Sequence, residues 1–300
     1  MALLHAQAES ALWFEEIILH GLLDTIKIIP FLFLTYLLME FIEHKAGEGA
    51  ERFMQRAGLF APVVGGALGA VPQCGFSAAA ANLYAGRVVS MGTIVAVFLS
   101  TSDEMIPILL SGNISGATVA LVVLYKTAVG IFVGLGVDLA IRLLLRKSEK
   151  INIDAICDED NCHCERGIWY SALHHTLTIS LFVLLITLAL NALIFFVGEE
   201  NLAAIMYDKP FVSHLIAAVV GLIPNCAASV ALATLCSQGL ITAGTMLSGL
   251  FSGAGVGILV LCKVNQKPKE NIIIMAIIVV AGIIFGMSRD LIFPASLFAK

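Results

Sequence analysis

Charge is what this 300-residue chain has least of: Asp, Glu, Lys and Arg make up 13% of it, against 59% hydrophobic residues. Soluble domains carry about 25% charged residues and are about half apolar. With a mean hydropathy of +0.95, the shortage excludes a soluble α-protein with buried helices and implies a membrane protein. The net charge is −5, and no basic patch interleaved with aromatics occurs, so no nucleic-acid partner is expected. The start, MALLHAQAESALWFEEIILHG, lacks the positive region and small-residue cleavage site of a signal peptide. It reads as mature, with residues 8–17 forming an interfacial helix that carries Trp13 and Phe14. No C-x-x-C occurs, and seven cysteines in this context do not make a secreted disulfide framework. No phosphate-binding glycine loop is present, which excludes an ATP-driven pump within the chain.

What is present is a series of long apolar segments: 19–43, 57–86, 88–112, 116–146, 170–198, 209–237, 240–263 and 271–289. A span needs roughly 20 apolar residues. The second half repeats the first. A shift of 152 residues lays Val71-Pro72-Gln73-Cys74 on Ile223-Pro224-Asn225-Cys226, Ser77 on Ser229, Gly92-Thr93 on Gly244-Thr245 and Ser100 on Ser252. Alanine and leucine matches are cheap in an apolar chain. A Pro, a Cys, two Ser and a Gly-Thr pair in one ungapped register are not, and they indicate an internal duplication.

Positive residues collect on the cytoplasmic side of membrane proteins. Lys45, Arg52 and Arg56 mark one loop, Arg142, Arg146, Lys147 and Lys150 the loop between halves, and Lys263, Lys267 and Lys269 a third. For the first two to share a side, one of the three segments between them must enter and return, and 57–86, interrupted by Pro72, is the best candidate. The expected fold is therefore an all-α polytopic membrane protein of two inverted-topology repeats. Each repeat has three spanning helices and one broken, re-entrant hairpin, about ten helical segments in all. The first repeat is residues 1–146, a cytoplasmic loop follows at 147–168, and the second repeat is 169–300. Alternatively, 57–86 and 209–237 are each one long, kinked span. Paired broken segments in inverted halves point to a transporter's midplane site.

The candidate binding residues follow from the breaks. Pro72 and Pro224 stop a helix, and the next helix offers unpaired N–H groups suited to an anion, while the carbonyls freed before the proline suit a cation. Gln73, Cys74 and Ser77, with Asn225, Cys226 and Ser229, would line the two tips. The competing explanation is close packing by small residues. Ser100, Asp103 and Glu104 follow in the next segment. Adjacent carboxylates in hydrocarbon cost roughly 2.5–3.5 kcal/mol each on insertion scales, which binding a cation or carrying a proton would explain. An end of the segment near residue 100, leaving the acids interfacial, is the alternative. Their repeat partners are Gly255 and Val256, and Gly253, Gly255 and Gly257 would give room to slide. Lys126, opposite Ile278 in the repeat, either acts as a counter-ion to these acids or snorkels to the interface. The loop carrying Cys157, Cys162, His163 and Cys164 offers thiolate and imidazole for zinc or other soft cations, in a spacing that is no standard zinc module. Glu40, His174 and His175 at helix ends are weaker metal candidates. His214 would lie nearer the outer side.

On Val71-Pro72-Gln73-Cys74-Gly75-Phe76-Ser77 and Ser100-Thr101-Ser102-Asp103-Glu104, the chain resembles the bacterial ten-helix heavy-metal exporter family, whose members carry the labels manganese transporter and arsenic efflux protein. The resemblance spans nearly the whole chain. It implies outward transport of a metal or metalloid across the bacterial inner membrane. Paired thiols favour zinc, cadmium or trivalent arsenic over manganese, which prefers oxygen ligands. The expected partners are the lipid bilayer and the transported ion, with no resident cofactor and no enzymatic activity; assembly into a homo-oligomer stays open. A permease for a small anion or organic solute is the second reading, and a thiol oxidoreductase using Cys74 and Cys226 the third.

Overall fold

The computed structural model describes residues 19–41, 60–71, 74–102, 105–111, 114–145, 168–197, 210–224 and 226–292. Every regular element among them is a helix: α1 His20–Phe41, α2 Ala61–Gly69, α3 Cys74–Ala85, α4 Met91–Ser100, α5 Met105–Ser111, α6 Gly116–Leu145, α7 Ile168–Val197, α8 Pro210–Gly221, α9 Cys226–Ser237, α10 Ala243–Ser252, α11 Val256–Val264 and α12 Pro268–Ile292. A lipid-facing backbone must satisfy its own N–H and C=O groups, which these apolar runs do as helices. Four of the described stretches are long and apolar enough to cross a membrane: Met91–Ser111, Gly116–Leu144, Ala243–Val264 and Pro268–Leu291. The protein is a multi-pass membrane protein.

The segments 57–86 and 209–237 are each divided in two, one helix ending at Gly69 and the next beginning at Cys74, and one ending at Gly221 and the next beginning at Cys226. In each case the second arm reaches across to the other half. α2 packs on α4 and α6, whereas α3 packs on α1 and on α11 of the other half. The second half answers in kind: α8 packs on α10 and α12, and α9 packs on α10 and on α5. α1 and α7 pack on each other.

A second pair of discontinuities lies in the segments read from sequence as unbroken spans. α4 ends at Ser100, Thr101 turns out to φ −53°, ψ 128°, and α5 begins at Met105. α10 ends at Ser252, and α11 begins after Gly255 at φ 53°, ψ −140°, a conformation that only glycine adopts without strain. The broken spans are the core of the molecule. In their most apolar windows 75% and 83% of the residues are buried, against 33% for α6 and α12, whose outer sides face lipid. Irregular backbone at membrane depth is tolerated only in such a position, covered by protein.

The duplication extends to individual hydrogen bonds. Ser90 caps α4, accepting from Thr93 N–H at 3.1 Å, and Thr242 caps α10, accepting from Thr245 N–H at 3.1 Å. Asp138 of α6 accepts from the Ser90 hydroxyl (2.6 Å) and from Gly92 N–H (2.8 Å). Asp290 of α12 accepts from the Thr242 hydroxyl and from Gly244 N–H (2.9 Å). A helix N-terminus has unpaired N–H groups and a positive dipole end, so each carboxylate staples a long helix to the start of a broken one. A Cβ at Gly92 would fall on Gly134 O and the Asp138 carboxylate, and one at Gly244 on Gly286 O and the Asp290 carboxylate. Arg87 and Gly239, matched by the same shift, both adopt positive φ, 58° and 75°.

Candidate functional site

The two halves meet at their breaks, and the group that joins them is Lys126. It comes from α6, is 0% exposed, and is among the largest fully buried side chains. Its ammonium donates to Thr101 O, the first residue of the α4–α5 break, and to Leu250 O of α10 at 2.8 Å, near the α10–α11 break. Phe251 presents its ring 5.9 Å from the same ammonium. Hydrogen bonds from a charged donor contribute about 1.5–3 kcal/mol each. Snorkelling is not what this lysine does: the head group is at the centre, held by one carbonyl from each half. Next to Lys126, Tyr125 donates its hydroxyl to Phe285 O at 2.8 Å, tying α6 to α12.

The arms that follow the prolines enter the same region. α3 begins at Cys74 and α9 at Cys226, so both matched cysteines occupy helix N-termini. One turn on, Ser77 is fully buried, and a Cβ added at Gly257 would come 2.8 Å from Ser77 Cβ and 3.0 Å from Phe98 Cε1. Gly257 thus lets the first half's arm lie directly against the helix after the second half's break. Its role is close approach, with Gly255 supplying the positive φ. The α9 arm, with Ser229 half-buried, packs on α5.

Ser100 is fully buried and spends its hydroxyl on Ala96 O (2.8 Å) and Val97 O (3.0 Å). Its neighbour across the packing is Gly69, where a Cβ would strike Ser100 Oγ. Ser252, its repeat partner, likewise turns back, onto Ser248 O at 3.1 Å. Both serines therefore help to end their helices. Thr101 and Ser102 are also buried, donating to Val97 O (2.8 Å) and Ser100 O (3.0 Å).

His174 is half-buried in α7, its ring stacked with Tyr170 at 6.4 Å between centroids. Gln73, Asn225, Asp103, Glu104, residues 8–17 and the loop 147–167 with Cys157, Cys162, His163 and Cys164 lie outside the described residues. So do the side chains of Cys74, Cys226, Glu40 and His175. Among the described residues no group of three or more His, Cys, Asp or Glu could hold a metal ion.

The family model described as "Putative, 10TM heavy-metal exporter" matches residues 14–183 and 168–293. The chain belongs to this family. No curated protein and no solved structure matches it. Among the described residues, counting each arm of 57–86 and 209–237 once and each of α4–α5 and α10–α11 once gives ten helical segments, the number in the family's description.

Several groups were not singled out from the sequence. The stapling carboxylates Asp138 and Asp290 were legible in it: the 152-residue shift also aligns Gly130, Gly134 and Asp138 with Gly282, Gly286 and Asp290. Asn82, 0% exposed, accepts from the Tyr36 hydroxyl at 3.0 Å, and its buried Nδ2 has no hydrogen-bond partner among the described residues. A polar residue on an alanine-rich helix was the only signal for it. Arg87 reaches Glu270 at 2.7 Å, joined by the Tyr84 hydroxyl at 2.8 Å and by Lys267 at 3.3 Å. That ion pair ties α3 of one half to α12 of the other, and no periodicity announces it.

Proposed function

We propose that this member of the exporter family is a secondary transporter that carries a divalent metal or metalloid outward across the bacterial inner membrane, from a site between the two pairs of breaks. The observation that carries the reading is Lys126, fully buried and bonded to one carbonyl beside each broken span. A buried ionisable group in a membrane protein is costly to keep and marks a transport path or an ion site. Discontinuous helices in matched halves, with substrate between them, are the architecture of secondary transporters.

In this reading the halves are inverted in the membrane, and 57–86 and 209–237 are re-entrant. Gln73, Cys74 and Ser77 approach the substrate from one side, and Asn225, Cys226 and Ser229 from the other. Thiolates at Cys74 and Cys226 suit zinc, cadmium or trivalent arsenic; the oxygen donors of Asp103 and Glu104 would suit manganese. Asp103 and Glu104 follow Thr101 and Ser102 in the sequence, and Thr101 is the residue whose carbonyl Lys126 contacts. The ammonium offsets one of their two negative charges and returns to them as counter-ion when the substrate leaves. The loop with Cys157, Cys162, His163 and Cys164 gathers or senses metal on the cytoplasmic side. The halves then alternate by rocking about the Lys126 contact.

A permease for a small anion or organic solute is the second reading, and the buried positive charge of Lys126 is what favours it. Purified protein in liposomes, tested with manganese, zinc, cadmium, iron and arsenite with and without a pH gradient, separates the two. Flux of one of these that falls in Asp103→Asn supports the metal reading; uptake that is independent of metal and unchanged in Asp103→Asn supports the permease. Full transport in a Cys74→Ser/Cys226→Ser double variant would remove both the soft-metal site and a thiol oxidoreductase role.

A further inference from the structure

The two stapling carboxylates accept matched bonds from a hydroxyl and a glycine N–H, but among the described residues only Asp290 has a histidine beside it. His214 of α8 is 4% exposed, and its Nε2 lies 3.6 Å from Asp290 Oδ2. Its Nδ1 is 2.8 Å from Ser248 Oγ. The Ser248 hydroxyl donates to Gly244 O at 3.2 Å. With that proton placed, the serine oxygen accepts from the ring, so Nδ1 carries the imidazole's hydrogen and Nε2 presents its lone pair to the carboxylate. At 3.6 Å the two are too far apart for a hydrogen bond.

The first half serves as an internal control. There the position of His214 is taken by Pro62 and that of Ser248 by Ala96, yet Asp138 caps α4 with the same bonds. The staple does not need the histidine. What His214 and Ser248 add is a buried base with a fixed tautomer whose open nitrogen faces a carboxylate.

We infer that His214 and Asp290 form a proton-binding site that couples transport to proton movement, an inference that rests on the transport reading above. A proton from bulk water adds to His214 Nε2, giving an imidazolium whose new N–H points at Asp290 Oδ2; its release to the other side restores the neutral ring, and no other bond changes. The charged and titratable groups around the ring are few among the described residues. α12 supplies Asp290 and Arg289, whose Nη1 donates to Asp290 Oδ1 at 3.1 Å. α9 supplies Cys236, within electrostatic reach of both. α10 supplies none. An imidazolium here would face a carboxylate that it shares with Arg289, and that pairing works against the cost of burying the charge.

α10 connects this site to the crossing. Asp290 holds its N-terminus through Gly244 N–H, and Leu250, near its other end, accepts from Lys126. Its ten residues span about 15 Å. A new ion pair that draws on Asp290 therefore acts on the helix that carries the second break.

Two measurements test this. In proteoliposomes an inward pH gradient should accelerate wild-type export of whichever panel ion moves, and in His214→Gln the rates with and without the gradient should become equal. A His214→Gln protein that keeps the wild-type ratio overturns the proposal. Second, ¹⁵N-histidine NMR of the purified full chain should show His214 passing from the Nδ1–H tautomer to the imidazolium as the pH is lowered. Asp290→Asn should abolish that step, and Asp138→Asn should not. A ring that stays neutral down to the pH at which the protein unfolds, or that titrates equally well in Asp290→Asn, overturns the proposal whatever the flux result. Absence of flux for every ion tested sinks the transport reading alone and leaves the NMR result to decide the proton site.

Discussion

The two halves share a scaffold and differ in chemistry. What they share is short-range and geometric: the serine or threonine cap, the stapling aspartate, and the glycine pairs 92/134 and 244/286 that let α4 and α10 lie against α6 and α12. What differs, by sequence position, is a set of ionisable groups present in one half only. Lys126 stands opposite Ile278, Asp103 and Glu104 opposite Gly255 and Val256, His214 opposite Pro62, and Arg289 opposite Val137. A duplicated frame keeps the positions that make two helices fit and is free to change the rest. Divergent charged positions are therefore where function is to be sought, and matched small residues are where stability is.

The largest effect in that comparison is expected at Lys126. Lys126→Met keeps the length of the side chain but removes the ammonium from Thr101 O and Leu250 O. Leaving a buried acceptor unpaired costs about 1–3 kcal/mol, so flux should fall by about tenfold and thermal stability should drop. Lys126→Arg should not restore flux, because a planar fork does not fit where one ammonium sits between two carbonyls. Wild-type flux in Lys126→Met would mean that the contact is dispensable for transport. Next come the matched glycines. Gly92→Ala and Gly244→Ala each place a Cβ on a backbone carbonyl and a carboxylate, and overpacking costs about 1–3 kcal/mol. The two variants should lose similar melting temperature in detergent. If one is tolerated and the other is not, the halves are less alike than their hydrogen bonds indicate.

Much of this frame was legible in the sequence, for a definable reason. Hydrophobic length, proline and the 152-residue register are local or additive signals. They located eight segments, the breaks at Pro72 and Pro224, and the pairing of Cys74 with Cys226 at helix starts. The breaks at 101–104 and 253–255 were not read as breaks, because neither contains a proline. They arise from hydroxyls that turn back on the preceding turn at Ser100 and Ser252, and from one positive φ at Gly255. The position of Lys126 needed the tertiary fold: its sequence neighbours are equally compatible with a head group at the interface, and only the packing of α6 against α4 and α10 decides between them. His214 in isolation was one buried histidine among several polar candidates, and became informative once Asp290 and Pro62 supplied a partner and a control.

Smaller effects should separate the two staples. Asp138→Asn and Asp290→Asn keep the acceptor for the glycine N–H and lose its charge, which costs about 1 kcal/mol. Equal shifts in melting temperature would confirm that the staples are structurally equivalent. Only Asp290→Asn should also flatten the response of flux to a pH gradient. Should Asp138→Asn flatten it equally, the difference between the halves would not lie at His214.

The smallest effect is the most discriminating, and it concerns Arg87. This residue pays for its ion pair with an unfavourable backbone: φ is 58°, and a left-handed conformation costs a residue with a Cβ roughly 1–2 kcal/mol. Its counterpart Gly239 occupies the same turn at φ 75° without that cost, and Thr118, opposite Glu270 in the repeat, carries no charge. Arg87→Ala loses the contacts with Glu270 and keeps the strain. Arg87→Gly loses the same contacts and relieves it, reproducing the second half. The glycine variant should therefore be more stable than the alanine variant by about 1 kcal/mol, read as a higher melting temperature. An alanine variant at least as stable as the glycine variant would show that the turn is not strained at Arg87. Glu270→Gln, which leaves the turn alone and removes the charge facing Arg87, should weaken stability by about 1 kcal/mol or less, because both side chains of the pair are partly exposed, at 12% and 18%. If flux rises in Arg87→Gly and Glu270→Gln together, the ion pair between α3 and α12 restrains the movement of one half against the other; if it is unchanged, the pair acts on stability alone.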